Sequence, residues 1–388
     1  MTNYKDLSGK CAIVGVAESD EMGTLPHKSA LQLHAEAARN AIADAGLTKN
    51  DVDGIFSAGR LFSTETAEYL GLHPRYIDGT SVGGCSFIQH CQHAMAAINA
   101  GVCEVALITH GESGRSRLAM PGMSSPKDSL LWQFEVPYGI VFPFTAYAFI
   151  AARHMHEFGT TQEQLAEVAV ATRAWARLNP KANQRGPLTI DDVMQSPLIA
   201  WPFHVLDCCL VTDAGGAAVI TSAERAKDLK KKPAYILGTG EGTGHCWVNQ
   251  MPDFTAATGA QTSGPQAFAM AGVSHQDIDV AMLYDAFTIV PILALEDLGF
   301  CKKGEGGAFV QGQRTAPGGD FPMNTNGGGL SYTHTGMYGM FTIIEAVRQV
   351  RGECGERQVK DTEVALCHGP GGIFSAAATM IVANAPHA

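Results

Sequence analysis

Apolar positions along this 388-residue chain follow two alternating periods. Residues 11–16 form a short, wholly apolar run of strand length, and residues 52–56, 105–109, 215–221 and 234–238 read as further strands. Between the first two, residues 30–45 place Leu31, Ala35, Ala38 and Ile42 on one helical face, and Gly46 supplies a C-cap. A second helix is predicted over 86–100, opened by Gly83-Gly84 and closed by Gly101. Strands and helices in alternation predict parallel βαβ units and the α/β class. The alternation stops near Gly111. From there to Trp201 the chain mixes Met, Pro and aromatic residues around at least one long helix, 146–158, which reads as an inserted cap.

The later part of the chain repeats the earlier part. Ala45-Gly46-Leu47-Thr48 followed by Asp51-Val52-Asp53 returns as Ala271-Gly272-Val273-Ser274 followed by Asp277-Ile278-Asp279. Glu104-Val105-Ala106-Leu107 returns as Glu363-Val364-Ala365-Leu366. Around the second copy the spacing predicts a helix ending at Ala271, a strand 280–284, a helix 289–298, a glycine turn 327–329, a helix 339–351 and a strand 364–366. Two matches in the same order argue for duplicated halves, and a site at their junction can draw one reactive group from each. Asp44, Asp51 and Asp53 read as solvent-facing caps.

Composition narrows the function classes. Hydrophobic residues at 46% and charged residues at 17% describe a globular protein. A formal net charge of −11 argues against nucleic acid as a partner, so phosphate contacts must be local, with Arg115, Arg117 and Lys127 as candidates. Ten cysteines without a CxxC pair suggest reduced thiols and no structural metal. The N-terminus lacks an apolar signal region and no run is long enough to span a bilayer, so a cytoplasmic protein is expected.

Cys85 follows Gly83-Gly84 and precedes a predicted helix. A thiol at a helix N-terminus faces unpaired N–H groups, which favours the nucleophilic thiolate; the bland alternative is a small core residue at a tight turn. His334 follows Gly327-Gly328-Gly329-Leu330-Ser331 and is a candidate base or oxyanion donor, or a solvated loop histidine. Cys367 and His368, in Cys367-His368-Gly369, stand at a strand end where open α/β sheets place ligands; either is a candidate acid or base, or plain core. Tyr284, in Tyr284-Asp285-Ala286-Phe287, can donate to an oxyanion or abstract a hydroxyl proton, although strand-end tyrosines commonly only pack. Gly238-x-Gly240-x-Gly242-x-Gly244 lacks the GxGxxG spacing and a suitably placed acid, which argues against a dinucleotide loop. Met120, Met123 and Trp132 line an apolar pocket or fill the core of the cap.

Taken in order, these motifs resemble the thiolase superfamily over nearly the whole chain, most closely its sterol-carrier-protein-x-type branch. The resemblance implies two duplicated βαβαβαββ halves in a five-layer α-β-α-β-α arrangement with an inserted loop domain. Residues 1–110 plus 202–230 would form the first half, 111–201 the insertion and 231–388 the second half. Cys85 matches the family's nucleophilic cysteine. His334 matches the histidine of its Gly-His-Pro turn, with Thr333 and Thr335 in place of Gly and Pro. Cys367-His368-Gly369 matches its Cys-x-Gly, and Tyr284 stands where the family carries Asn or His. That tyrosine, the run Leu206-Asp207-Cys208-Cys209 with Thr212-Asp213, and Gly336-Met337 also resemble steroid side-chain aldolases and associated thiolase-like proteins. Those relatives cleave β-hydroxyacyl-CoA with tyrosines and work with a small partner built from an OB-fold and a zinc ribbon. Tyr332 would be the counterpart of their second tyrosine.

Three functions follow from the resemblance. Acyl transfer comes first because both cysteines and the histidine are present: Cys85 would hold the acyl group as a thioester, His334 would bind the enolate oxygen and Cys367 would return a proton. Retro-aldol cleavage by Tyr284 or Tyr332 comes second, favoured by the Tyr-Asp-Ala-Phe motif. A non-catalytic thiolase-fold subunit that carries acyl groups comes third. A coenzyme A thioester is expected as substrate rather than as a bound cofactor, and a homodimer is expected with the loop domains over the sites.

Overall fold

The computed structural model describes residues 4–59, 61, 63–117, 126–141 and 143–386. The first part of the chain runs β1 (Cys11–Glu18), α1 (Ala30–Asp44), β2 (Gly54–Ser57), α2 (Ser63–Leu70), β3 (Tyr76–Asp78), α3 (Ser86–Asn99) and β4 (Val105–Ser113). An intervening segment carries α4 (Leu130–Phe134), α5 (Phe144–Phe158), α6 (Gln162–Arg177), α7 (Ile190–Gln195), β5 (Leu198–Ala200) and β6 (Phe203–His204). Then come β7 (Asp213–Ser222), α8 (Ala223–Ala226), β8 (Ala234–Thr243), α9 (Thr258–Ala271), β9 (Val280–Leu283), α10 (Ile289–Asp297), α11 (Gly306–Val310), α12 (Gly339–Arg351), β10 (Val364–Gly371) and β11 (Ala376–Ala383).

The sheet order β3-β2-β4-β7-β1-β8-β11-β10-β9 reads outward from a central seam as two copies of one arm. At the seam β1 and β8 pair antiparallel through Ala12 with Tyr235 and Ile13 with Ala234. Moving outward, β7, β4 and β2 on one side correspond to β11, β10 and β9 on the other. β2 pairs parallel with β4, as β9 does with β10. The counterpart of β3 is reduced to one parallel bridge, Ala281 with Met323. Between the arms lie α3, against β4, β7, β8 and β11, and α12, against β10 and β7. Outside them, α1 covers β1, β4 and β7, and α9 covers β8 and β11. This is the five-layer α-β-α-β-α order of two duplicated halves.

Repeated turn chemistry explains the repeated sequence. Thr48 N and Oγ1 donate to Asp51 Oδ2 (2.9 and 2.8 Å), and Ser274 N and Oγ donate to Asp277 Oδ2 (both 2.7 Å). Asp53 Oδ1 accepts from Glu104 N and Val105 N (2.8 and 2.9 Å), and Asp279 Oδ2 accepts from Glu363 N and Val364 N (2.8 and 3.0 Å). Asp51 is thus a cap, but Asp53 is a clamp at the start of β4. Asp44 is not solvent-facing in role either: it accepts from Val16 N (3.1 Å) and pairs with Arg351 Nη1 (3.0 Å), tying the halves together.

The glycines of β8 are seats for α9. A methyl group on Gly238 would overlap the Ala267 carbonyl and come within 2.9 Å of Ala271 Cβ; Gly15 of β1 has the same relation to Ala41 and Ala45. Gly240 and Gly242 meet the Ser263 and Gly259 carbonyls in the same way. Close helix approach therefore accounts for the glycine series without a nucleotide. α6 adds a second long helix to the intervening segment, opened by a capping box: Thr161 Oγ1 accepts from Gln164 N (3.2 Å) and Gln164 Oε1 from Thr161 N (3.0 Å). Among the described residues no helix is long and apolar enough to cross a membrane.

Gly238→Ala is expected to destabilise the protein by about 1–3 kcal/mol through overpacking. The urea midpoint should fall with an unchanged slope, and an unaltered midpoint would contradict the packing described.

Candidate active site

The site forms where the inner helices begin. Gly83 has φ +93°, a conformation that favours glycine, and its carbonyl accepts from Ser86 N (3.0 Å) and Ser86 Oγ (2.6 Å). This turn makes Cys85 the N-cap of α3. A methyl group on Gly339, at the start of α12, would overlap the Gly84 carbonyl. On Gly84 itself it would lie 2.8 Å from Tyr284 Oη, and on Gly371 it would lie 2.9 Å from Cys85 Sγ. The residues at these contacts must be glycine for the backbones of both halves to meet.

Tyr284 leaves β9 with its N–H bonded to the His368 carbonyl (2.9 Å). Its hydroxyl oxygen receives Tyr338 N–H at 3.1 Å and stands 3.0 Å from His334 Nε2. His334 is fixed by Thr212, which accepts from His334 N at Oγ1 (3.0 Å) and donates N–H to the His334 carbonyl (2.9 Å). Gly336 N–H donates to His334 Nδ1 at 3.2 Å, so the hydrogen-bond partners assign the ring proton to Nε2, facing Tyr284. Burial lowers His334 to about 4, which keeps the ring neutral at pH 7. Burial also holds Tyr284 well above the ordinary phenol value, with the Tyr338 N–H acting against it. With two N–H groups on its oxygen, Tyr284 keeps its own proton for another acceptor.

Asp285, next in the chain, fixes the segment that carries His334. Its Oδ1 accepts from Gly329 N (2.6 Å) and Oδ2 from Leu330 N (3.3 Å). The segment Gly328–Tyr332 is a single π-helical turn, and a side chain on Gly328 would overlap the Asp285 carboxylate. Burial pushes Asp285 up to about 8.

The structure brings Cys85, Tyr284 and His334 together and separates the other candidates. Cys85 is fully buried, and desolvation pushes its thiol up to about 12, so the thiolate expected from its helix N-terminus does not form in the free protein. Cys367 bonds the Thr342 carbonyl (3.5 Å). It lies four residues before Gly371, the strand residue that meets Cys85, or about 13 Å along β10. His368 points to the opposite face of the strand, where Nδ1 meets Thr379 Oγ1 (2.9 Å), whose oxygen lies 2.9 Å from Ser263 Oγ of α9. Tyr332 donates instead to Glu18 Oε1 (2.7 Å), a carboxylate paired with Arg348. Arg115 has an exposed side chain, and its N–H serves Asp213 (2.7 Å). Arg117 binds the Lys28 and Pro26 carbonyls, and Lys127 is exposed. Trp132 is half-buried, and Met120 and Met123 lie outside the described residues. No metal-holding cluster occurs among the described residues.

Sequence reasoning missed Tyr338 and Tyr147. The first supplies the N–H on Tyr284; the second donates its hydroxyl to the Gly372 carbonyl (2.9 Å) and packs on Phe287. Only the aromatic-rich start of α5 hinted at Tyr147.

The chain is similar to several known proteins. A family model described as thiolase C-terminal domain-like matches residues 240–384. A steroid side-chain-cleaving aldolase of Thermomonospora curvata is 36% identical over 380 residues, covering 94% of this chain and 96% of that protein. An acetyl-CoA acetyltransferase of Methanothermobacter thermautotrophicus is 33% identical over 388 residues, covering 95% and 98%. The solved structure of an Ltp2-ChsH2(DUF35) aldolase superposes with a TM-score of 0.90 at 34% identity, covering 97% of this chain and 98% of that one. Paired halves with one shared site define a thiolase-fold enzyme. The chain belongs to the thiolase superfamily, in its sterol-carrier-protein-type branch near the steroid side-chain aldolases.

The buried site generates a pH prediction. Burial lowers His34 and His368 to about 3, His90 and His334 to about 4, and His110 well below its ordinary value. Each must charge on unfolding below pH 6.5, so its contribution is present above that pH and is lost as the pH falls toward about 4, at up to about 1.4 kcal/mol per pH unit. Asp207 and Asp285, raised to about 6 and about 8, and His93, raised to about 9, run the other way but are outnumbered. Urea unfolding should therefore show stability falling by several kcal/mol between pH 7 and pH 5. A flat profile would contradict burial of neutral histidines.

Proposed function

We propose that this chain cleaves a β-hydroxyacyl-CoA by a retro-aldol step with Tyr284 as the proton acceptor. The reading is carried by the two N–H groups, from His334 and Tyr338, that converge on the Tyr284 hydroxyl oxygen. Hydrogen bonds donated to an oxygen favour its anionic form and so its service as a base. In the step, the Tyr284 oxygen takes the β-hydroxyl proton as its own phenol proton is handed on toward the α-carbon, so that the tyrosine ends neutral as it began. The alkoxide pair forms the carbonyl of the departing ketone or aldehyde as the Cα–Cβ bond breaks. The electrons of that bond pass to the thioester as an enolate, which takes up at Cα the proton released by Tyr284 to give the shortened acyl-CoA. The N-terminus of α3 supplies partial positive charge beside the developing enolate. This route forms no bond to sulfur, in keeping with the neutral, buried Cys85.

Acyl transfer through a Cys85 thioester is the second reading. It is supported by the position of the sulfur at the start of α3 against Gly371, and by the acetyltransferase relative. In either case coenzyme A enters as part of the substrate. The solved relative pairs Ltp2 with ChsH2(DUF35), which supports a partner subunit here as well. We take that partner to be a small OB-fold and zinc-ribbon protein on a homodimer of this chain.

Tyr284→Phe is expected to lower kcat by about 10²–10⁴-fold, the range of a lost general base. Cys85→Ala should keep substantial cleavage. Steady-state assay of a β-hydroxyacyl-CoA with both variants checks this, and the reverse pattern would move the assignment to the thioester.

A further inference from the structure

Cys85 is wholly buried, yet the turn that covers it reaches solvent. A methyl group on Gly371 would stand 2.9 Å from Cys85 Sγ, and the next residue, Gly372, is exposed. Tyr147 of α5 donates its hydroxyl to the Gly372 carbonyl (2.9 Å) and sets its ring 5.5 Å from that of Phe374. Phe374 has φ +54°, a backbone that a bulky residue keeps only where its surroundings hold it. The same tyrosine ring lies 4.7 Å from that of Phe287, three residues past Tyr284. Tyr147 thus bridges the two segments of the second half that bring Gly371 and Tyr284 to the site. It is itself buried, and burial pushes its phenol up, with Cys209 and Cys85 adding to the rise. The hydroxyl is therefore a neutral donor, close enough to Cys85 for the charge of one to be felt by the other.

α5 is held unequally along its length. Two turns beyond Tyr147, His154 Nε2 lies 3.1 Å from both oxygens of Glu296, and Nδ1 lies 2.9 Å from Thr160 Oγ1. Glu296 is also paired with Lys303 (3.1 Å). At the start of the helix, the hold on the second half consists of the Tyr147 hydroxyl and ring contacts of Phe144 and Tyr147 with Phe287. A hydrogen bond to a buried carboxylate is about twice as strong as one between neutral groups. The start of α5 therefore moves more readily than its end.

We propose that Tyr147 is the latch of a gate over Cys85: the start of α5 swings from the Gly371–Phe374 turn, about the His154 anchor, to admit reactants to the thiol. Tyr147 is a positioning residue, which acts through the turn. The proposal rests on the place of Cys85 in the site and on neither reaction, so its test needs no substrate.

Iodoacetamide alkylation of the whole protein in native buffer, resolved by peptide mass spectrometry, reads the opening. Where reclosing outruns alkylation, the rate follows the open fraction. Cys91, equally buried on the same helix, is the internal control. In the wild type Cys85 should be alkylated at least about 10-fold faster than Cys91, because a local opening is cheaper than unfolding. Its rate should be nearly flat in low urea, whereas a thiol exposed by unfolding follows the full urea slope. Tyr147→Phe keeps the ring and removes the hydroxyl. It should speed Cys85 alkylation by about 2–10-fold, the loss of one neutral hydrogen bond, with the flat urea dependence kept. Equal rates for Cys85 and Cys91 in the wild type would overturn the proposal, as would an unchanged Cys85 rate in Tyr147→Phe. Acceleration that appears only with the full urea slope would make Tyr147 a structural residue and overturn the gate.

Discussion

The backbone contact between Gly84 and Gly339 governs the site. There the starts of the two inner helices touch without a side chain between them, since any Cβ on Gly339 would overlap the Gly84 carbonyl. Close packing leaves no slack to absorb an added atom. The consequence is that Cys85, from the first half, lies beside Gly371 of the second, and Tyr284, from the second half, lies on Gly84 of the first. Each half supplies groups that the other half positions. Duplication is therefore a means of building one site from two copies of the same turn.

Dryness sets the chemistry. The thiol of Cys85, the imidazole of His334 and the phenol of Tyr284 are all driven toward neutrality by the same loss of water. In such a place hydrogen bonds, rather than free charges, decide which atom gains or gives a proton. The Gly336 N–H on His334 fixes a tautomer, the tautomer presents N–H to Tyr284, and Tyr338 adds a second N–H. Asp285 stabilises the arrangement from below by accepting two backbone N–H groups of the turn before His334.

Much of the fold was legible because turns repeat their chemistry. Asp53 and Asp279 do the same work on β4 and β10, so the duplication shows in the letters. Cys85, Tyr284 and His334 were legible as motifs beside glycines. The strand end around Cys367 was not, because a Cys-x-Gly pattern does not say which strand residue meets the facing helix. The structure gives that place to Gly371, and alternation along the strand sends His368 outward. Tyr332 was misread because its partner, Glu18, lies 314 residues away in the chain.

The most direct measurement is cleavage of a β-hydroxyacyl-CoA with no free coenzyme A present, followed by product analysis and intact-protein mass spectrometry. A retro-aldol step releases one carbonyl product and one shortened acyl-CoA in equal amounts and leaves Cys85 unmodified. Cleavage confined to 3-oxoacyl-CoA, with free coenzyme A consumed and an acyl group trapped on Cys85, would contradict the account.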